Sequence, residues 1–213
     1  INELLKTAEL ERQKEYPQSD SGNAEMLRNL FESDIKYDHD IGVWKVWNRV
    51  YWQPDSKKQV YDFATKVARK RQEKSLTLSD SRDKNELFKF GLNSENIHRI
   101  KSMFERASAL EGIATTSEDW DVGPLLFQCS NGVVILNTQT FMEGNPKWLI
   151  SQNSGVEYDP EAECPVFDKF ILDIMDGDTA MAEYLLKCLG YSMSGLTDEQ
   201  CMFLLEGNGA NGK

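Results

Sequence analysis

The sequence predicts an α+β fold, mostly helical, with small antiparallel sheets. Apolar residues recur at helical spacing in segments near 24–31, 56–73, 97–107 and 165–190. Between them, residues 35–52 and 125–136 carry β-branched and aromatic clusters broken by turn residues, the mark of short strands. A last apolar run, Cys201-Met202-Phe203-Leu204-Leu205, reads as a buried strand ahead of a glycine-rich loop.

Residues 1–20 are polar and mix Glu9, Glu11 and Glu15 with Arg12 and Lys14, as a linker from an upstream domain would. Asp20-Ser21-Gly22-Asn23 suits the cap of a helix over Ala24–Phe31, whose stripe is Met26, Leu27, Leu30 and Phe31. A three-stranded meander follows through Ile35 and Tyr37, Val43–Trp47, and Val50–Trp52. Its tryptophans, Trp44, Trp47 and Trp52, read first as sheet core, with a platform for stacking bases as the alternative. Val60, Phe63, Ala64 and Val67 define a helix from about Ser56 to Glu73. A second has Asn93 as its cap and Ile97, Ile100, Phe104 and Ala107 on its apolar face. After a loop at Thr115–Asp121, two strands at 125–129 and 133–136 join through an Asn131-Gly132 turn, since both residues tolerate positive φ. Pro165 opens a helix that buries Phe167, Phe170, Ile171 and Ile174. Asp178 caps another, with Met181, Leu185 and Leu189 as its stripe and Gly190 at its end.

The 213 residues suffice for one large domain or two small ones, with a break expected between 112 and 113. No apolar run approaches the 18 residues of a membrane span, and no signal-peptide core is present, so a cytoplasmic protein without a membrane partner is expected. Cys129, Cys164, Cys188 and Cys201 form no C-x-x-C pair, which with only His39 and His98 beside them argues against a metal site and for reduced thiols. The net charge of −11 conceals a division. Residues 57–106 hold 13 Lys/Arg against 7 Asp/Glu, whereas the rest hold 11 against 28. Different faces thus have different work. A solvated basic helix face explains the excess as readily as a nucleic-acid surface does.

Gly207-Asn208-Gly209-Ala210-Asn211-Gly212-Lys213 has the form G-x-x-x-x-G-K. Backbone N–H groups of such a loop converge on phosphate oxygens, glycines permit the close approach, and the lysine ammonium meets the β/γ-phosphates. A strand in front and a helix N-terminus behind complete an ATP site, with Mg²⁺ held by a hydroxyl next in sequence. The 213 residues lack that hydroxyl, a Walker B acid and an arginine finger, so no catalytic residue is assigned and hydrolysis by this piece alone is not expected. Asp119, Asp121, Asp173, Asp176 and Asp178 read as turn and cap residues rather than metal ligands.

Taken in order, several segments resemble one family. Gly22-Asn23-Ala24, Trp44-x-x-Trp47 and Trp52 come first, then Asn131-Gly132-Val133 with Leu136, and Tyr158-Asp159-Pro160 with Cys164-Pro165. Gly177-Asp178, Leu189-Gly190-Tyr191 and Leu204–Lys213 follow. The series resembles the domain preceding the ATPase in phage, plasmid and poxvirus primase–helicases of helicase superfamily 3. The resemblance implies a collar-like domain over 21–198, in one piece or as 21–112 and 113–198, with a P-loop ATPase starting over 199–213. It implies a parent that hydrolyses ATP, translocates on single-stranded DNA, assembles as a hexameric ring and carries an upstream primase domain, in a bacterial host or virus-infected cell. The basic block supplies Lys66, Arg69, Lys70, Arg71 and Lys101 as phosphate contacts. The alternative is an oligomerisation and docking module without DNA contact. A small-molecule kinase or GTPase fits less well, because such enzymes place the loop near the start of their fold.

Overall fold

A computed structural model describes residues 16–206, which divide into two units between Trp120 and Asp121. The expected linker segment 1–15 and the loop Gly207–Lys213 lie outside the described residues.

In the first unit α1 (Asp20–Phe31) starts one turn earlier than its apolar stripe suggests. Ser19 is the cap, its hydroxyl accepting from Gly22 N at 3.1 Å. Then come β1 (Ile35–Asp38), β2 (Val43–Trp47) and β3 (Trp52–Pro54), antiparallel, with Ile35 facing Val46 and Trp47 facing Trp52. Helices α2 (Val60–Ser75), α3 (Ser81–Ser94) and α4 (Ile97–Ser108) follow. The chain then returns as β4 (Ala114–Thr115), which pairs parallel with β1 and completes the sheet order β3-β2-β1-β4. Leu27, Ile35, Val67, Met103 and Ile113 are fully buried where the helices meet the sheet.

Several boundaries differ from the sequence expectation for local reasons. Lys58 has a φ of 57°, and the Asp55 carboxylate takes the Gln59 and Val60 amides at 2.7 and 3.0 Å. The helix therefore cannot begin at Ser56. Asn96, not Asn93, caps α4, accepting from His98 N at 3.0 Å; Asn93 belongs to α3. Helix α3 was absent from the expectation because only Leu87, Gly91 and Ser94 turn inward, too little apolar surface for a stripe. Its start is marked by Asp80, which accepts from Arg82 N and Asp83 N.

One polar network joins α1, α2 and α3. Asn23, fully buried, donates from Nδ2 to Ser94 Oγ at 2.9 Å and accepts at Oδ1 from Arg71 Nε at 3.1 Å. Arg71 gives its other nitrogens to the carbonyls of Tyr16 and Pro17, at 2.8 and 2.9 Å. Gly22 must be glycine, since a Cβ there would sit 2.1 Å from the Pro17 oxygen. The tryptophans are structural as well. Trp52 is buried and packs edge-on against Trp120, with ring centroids 5.8 Å apart.

The second unit opens with the sheet β5 (Leu126–Cys129), β6 (Gly132–Ile135) and β7 (Thr140–Met142), all antiparallel. The hairpin turn is Ser130-Asn131, because Cys129 pairs with Gly132 inside the ladder. Neither Asn131 nor Gly132 has a positive φ, so the expected reason for the Asn-Gly pair is replaced by two others. Asn131 holds the backbone of Tyr158, donating from Nδ2 to its carbonyl and accepting its amide, each at 2.9 Å. A Cβ at Gly132 would collide with the Phe141 ring, which stacks on Tyr158 at 4.9 Å. Helices α5 (Pro165–Ile174) and α6 (Thr179–Ser192) begin at the expected Pro165 and Asp178 cap. Their apolar faces are not buried as expected. Only Ile171 and Ala182 are, while Phe167, Phe170, Met181 and Leu189 remain exposed. Gly190 lies inside α6, not past its end. Cys201–Leu205 forms no strand and Met202, Leu204 and Leu205 are exposed, since no described segment offers it a ladder partner.

Asn23→Ala leaves the buried Arg71 Nε without its acceptor, while the Ser94 hydroxyl keeps its bond to the Phe90 carbonyl, a loss of about 1–3 kcal/mol. Urea unfolding of the first unit should show that fall in midpoint at unchanged slope.

Candidate nucleic-acid interface

The positive block of 57–106 coincides with α2, α3, α4 and their connections, all in the first unit. The second unit, over 121–206, holds three lysines against 14 Asp/Glu and repels a polyanion.

The five cations expected there have separate fates. Lys66, Arg69 and Lys70 are exposed on α2, at positions between those of the buried stripe. Lys66 also lies over the Phe63 ring at 4.9 Å, which directs its stem along apolar surface and leaves the ammonium in water. Lys101 is exposed on α4. Arg71 is removed from the set. It is 3% exposed, its guanidinium is committed to Asn23, Tyr16 and Pro17, and the Phe90 ring lies 5.5 Å away. Burial pushes its pKa down, opposed by Tyr16, but an arginine stays charged at any ordinary pH. The signal was present in the sequence: Val60, Ala64, Val67 and Arg71 fall at offsets 0, 4, 7 and 11, the inward face of α2.

Other cations of the block are tied to neighbours. Arg99 pairs with Asp20 at 3.1 Å, and Arg106 donates to Ser21 Oγ at 3.1 Å, both fastening α4 to the start of α1. Arg82 pairs with Glu86 within α3. In the sheet, Lys45 and Asp38 form a buried ion pair at 3.2 Å, with Lys45 Nζ 3.6 Å from the centre of the Trp120 ring. Lys36 donates to the Gly112 carbonyl, and burial pushes its pKa down against the opposing charge of Glu32. These two lysines serve the fold rather than a ligand.

Of the acidic residues expected as cap and turn groups, Asp178 caps α6 and Asp176 sits in a turn with positive φ, whereas Asp173 lies inside α5. Asp119 closes a capping box with Thr116, and Asp121 takes the Ser151 and Gln152 amides at 2.7 and 3.1 Å. No cluster suited to a metal ion occurs among the described residues. The four cysteines are free thiols. No helix among the described residues is long and apolar enough to cross a membrane.

Comparison with protein families matches residues 24–176 to the family described as D5 N terminal like. The chain belongs to that family, the N-terminal domain of D5-like primase–helicases. It is thus the N-terminal region of a replication protein of the primase–helicase type. No curated protein matches the sequence significantly.

Lys66→Ala, Arg69→Ala, Lys70→Ala and Lys101→Ala should each change stability by no more than about 0.5 kcal/mol, as surface substitutions do. Arg71→Ala should cost several-fold more, because it strands a buried amide oxygen and two carbonyls. Thermal unfolding of the five variants side by side checks the division.

Proposed function

We propose that this chain is the collar-like region of a superfamily 3 replicative primase–helicase whose complete polypeptide couples ATP hydrolysis to movement along single-stranded DNA. The observation that carries the reading is order: the family match over 24–176 is followed by the G-x-x-x-x-G-K loop at Gly207–Lys213. In that loop Gly207, Asn208, Gly209, Ala210, Asn211 and Gly212 supply backbone to the ATP phosphates, and Lys213 supplies charge. Mg²⁺ bound with the nucleotide neutralises charge on the transferring phosphoryl group. Cys201–Leu205 would then be the first strand of the ATPase sheet, its ladder partners coming from the rest of that domain. Lys66, Arg69, Lys70 and Lys101 take phosphates of the DNA, and the region aids assembly of a hexameric ring. An upstream primase domain or other replication proteins are the further partners, in the cytoplasm of a bacterial host or an infected cell.

A second reading keeps the family and drops the DNA: a docking and oligomerisation module. The exposed apolar residues of α5 and α6 favour it, since contiguous apolar surface marks an interaction site.

Hydrolysis of ATP by the complete protein, with and without single-stranded DNA, tests the leading reading beside Lys213→Ala. DNA should stimulate turnover, and the variant should abolish it. Lysine-dependent hydrolysis indifferent to DNA would overturn the motor assignment.

A further inference from the structure

Phe88 is the one Phe, Tyr or Trp of the first unit, among the described residues, whose ring is exposed. The other aromatic rings there are buried or half-buried in the sheet and helix core. Phe88 is 41% exposed. A ring left this far in water forgoes part of the roughly 1.5–3 kcal/mol that full burial of a Phe side chain supplies. Nothing in the packing of α3 requires it. Leu87, Gly91 and Ser94 form the inner face, where Gly91 packs so closely on Ala68, Arg71 and Gln72 of α2 that no side chain fits.

The outward side of α3 carries the Arg82–Glu86 ion pair and, beside it, an exposed row of mixed chemistry. Asn85, Phe88, Lys89 and Leu92 fall at offsets 0, 3, 4 and 7, and all four are exposed. Asn93 is exposed beside them. A flat ring, a flexible cation and amides that donate and accept together meet the three parts of a nucleotide: base face, phosphate and base edge. Helix α3 is packed directly on α2, which exposes Arg69 and Lys70, so phosphates held by α2 would leave bases within the same basic region. A duplex hides its base faces; only a single strand can offer one to an isolated ring.

We propose that the outer face of α3 is a single-strand contact strip, on which an unpaired base stacks over Phe88 while Lys89 neutralises an adjacent phosphate. The proposal rests on the DNA-binding reading given above and adds to it a stacking residue and a preference for unpaired strands. Its occupant is favoured by charge together with the ring: the basic helices of this unit attract an anionic chain rather than a neutral or basic peptide, and of anionic chains a nucleic acid is the one that offers a flat base to stack on Phe88.

The test is fluorescence anisotropy of a labelled oligo-dT with the complete chain, over a range of salt concentrations, beside a duplex of the same length. Phe88→Ala should weaken single-strand binding roughly tenfold, as loss of one stacked base does, at unchanged salt slope. Phe88→Trp should retain binding, and its emission should be quenched by the oligonucleotide. Lys89→Ala should reduce the salt slope by about one. Both residues are exposed, so the variants keep the fold, and circular dichroism verifies it. Unchanged affinity in Phe88→Ala, with binding still lost on neutralising Arg69 and Lys70, would overturn the strip and leave the DNA reading standing. Equal weakening for single strand and duplex would also overturn it. Absence of any DNA binding by the unsubstituted protein would remove both.

Discussion

The first unit is organised around a buried amide. Asn23 faces two ways, to an arginine on α2 and to a serine on α3, and thereby fixes how three helices meet. Apolar packing alone tolerates sliding, since any apolar neighbour of suitable size is acceptable. Hydrogen bonds among buried groups do not tolerate it, because each unmet donor or acceptor carries its full desolvation cost. The guanidinium extends the same constraint to the chain entering α1, through the Tyr16 and Pro17 carbonyls. Gly22 permits that approach by having no side chain. Two adjacent positions, Gly22 and Asn23, are thereby specified by one junction.

The second unit repeats the device in another setting. Asn131 reads the backbone of Tyr158 with both of its side-chain atoms, as a neighbouring strand would. Ser130 N adds a bond to the Val156 carbonyl, and Ser154 N one to Gln128 O. The irregular segment after β7 is therefore held to the hairpin by hydrogen bonds to its backbone as well as by the Phe141–Tyr158 stack. That suits a segment with few large apolar residues. It also accounts for two short motifs, Asn131-Gly132 and Tyr158-Asp159-Pro160, that are far apart in sequence and joined in space.

What the sequence made legible were features whose cause is local or periodic. The meander, the Pro165 start and the Asp178 cap each follow from residues within a few positions. Helix α3 was hidden because its inward residues are a leucine, a glycine and a serine, which carry no hydropathy signal. Strands β4 and β7 are two and three residues long, below the length at which alternation can be seen. Among the candidate contacts, Lys66, Arg69, Lys70 and Lys101 are on the surface as a charged residue on an outer face should be. Arg71 departs from them because its helical phase, in line with Val60, Ala64 and Val67, turns it inward despite its charge. The apolar character of α5 and α6 was legible, whereas the exposure of Phe167, Phe170, Met181 and Leu189 was not, because hydropathy predicts burial.

The pairing of β4 with β1 bears on how the first unit resists force. The two strands run parallel, and every helix from α2 to α4 is looped out between them. Tension applied along the chain, entering before β1 and leaving after β4, pulls these strands lengthwise in opposite directions. Bonds such as Tyr37 N to Ile113 O and His39 N to Thr115 O then bear the load together instead of opening one after another. The looped-out helices are shielded from the pull as long as that short seam holds. A domain wired in this way can pass a pull along its chain without unravelling its own surface.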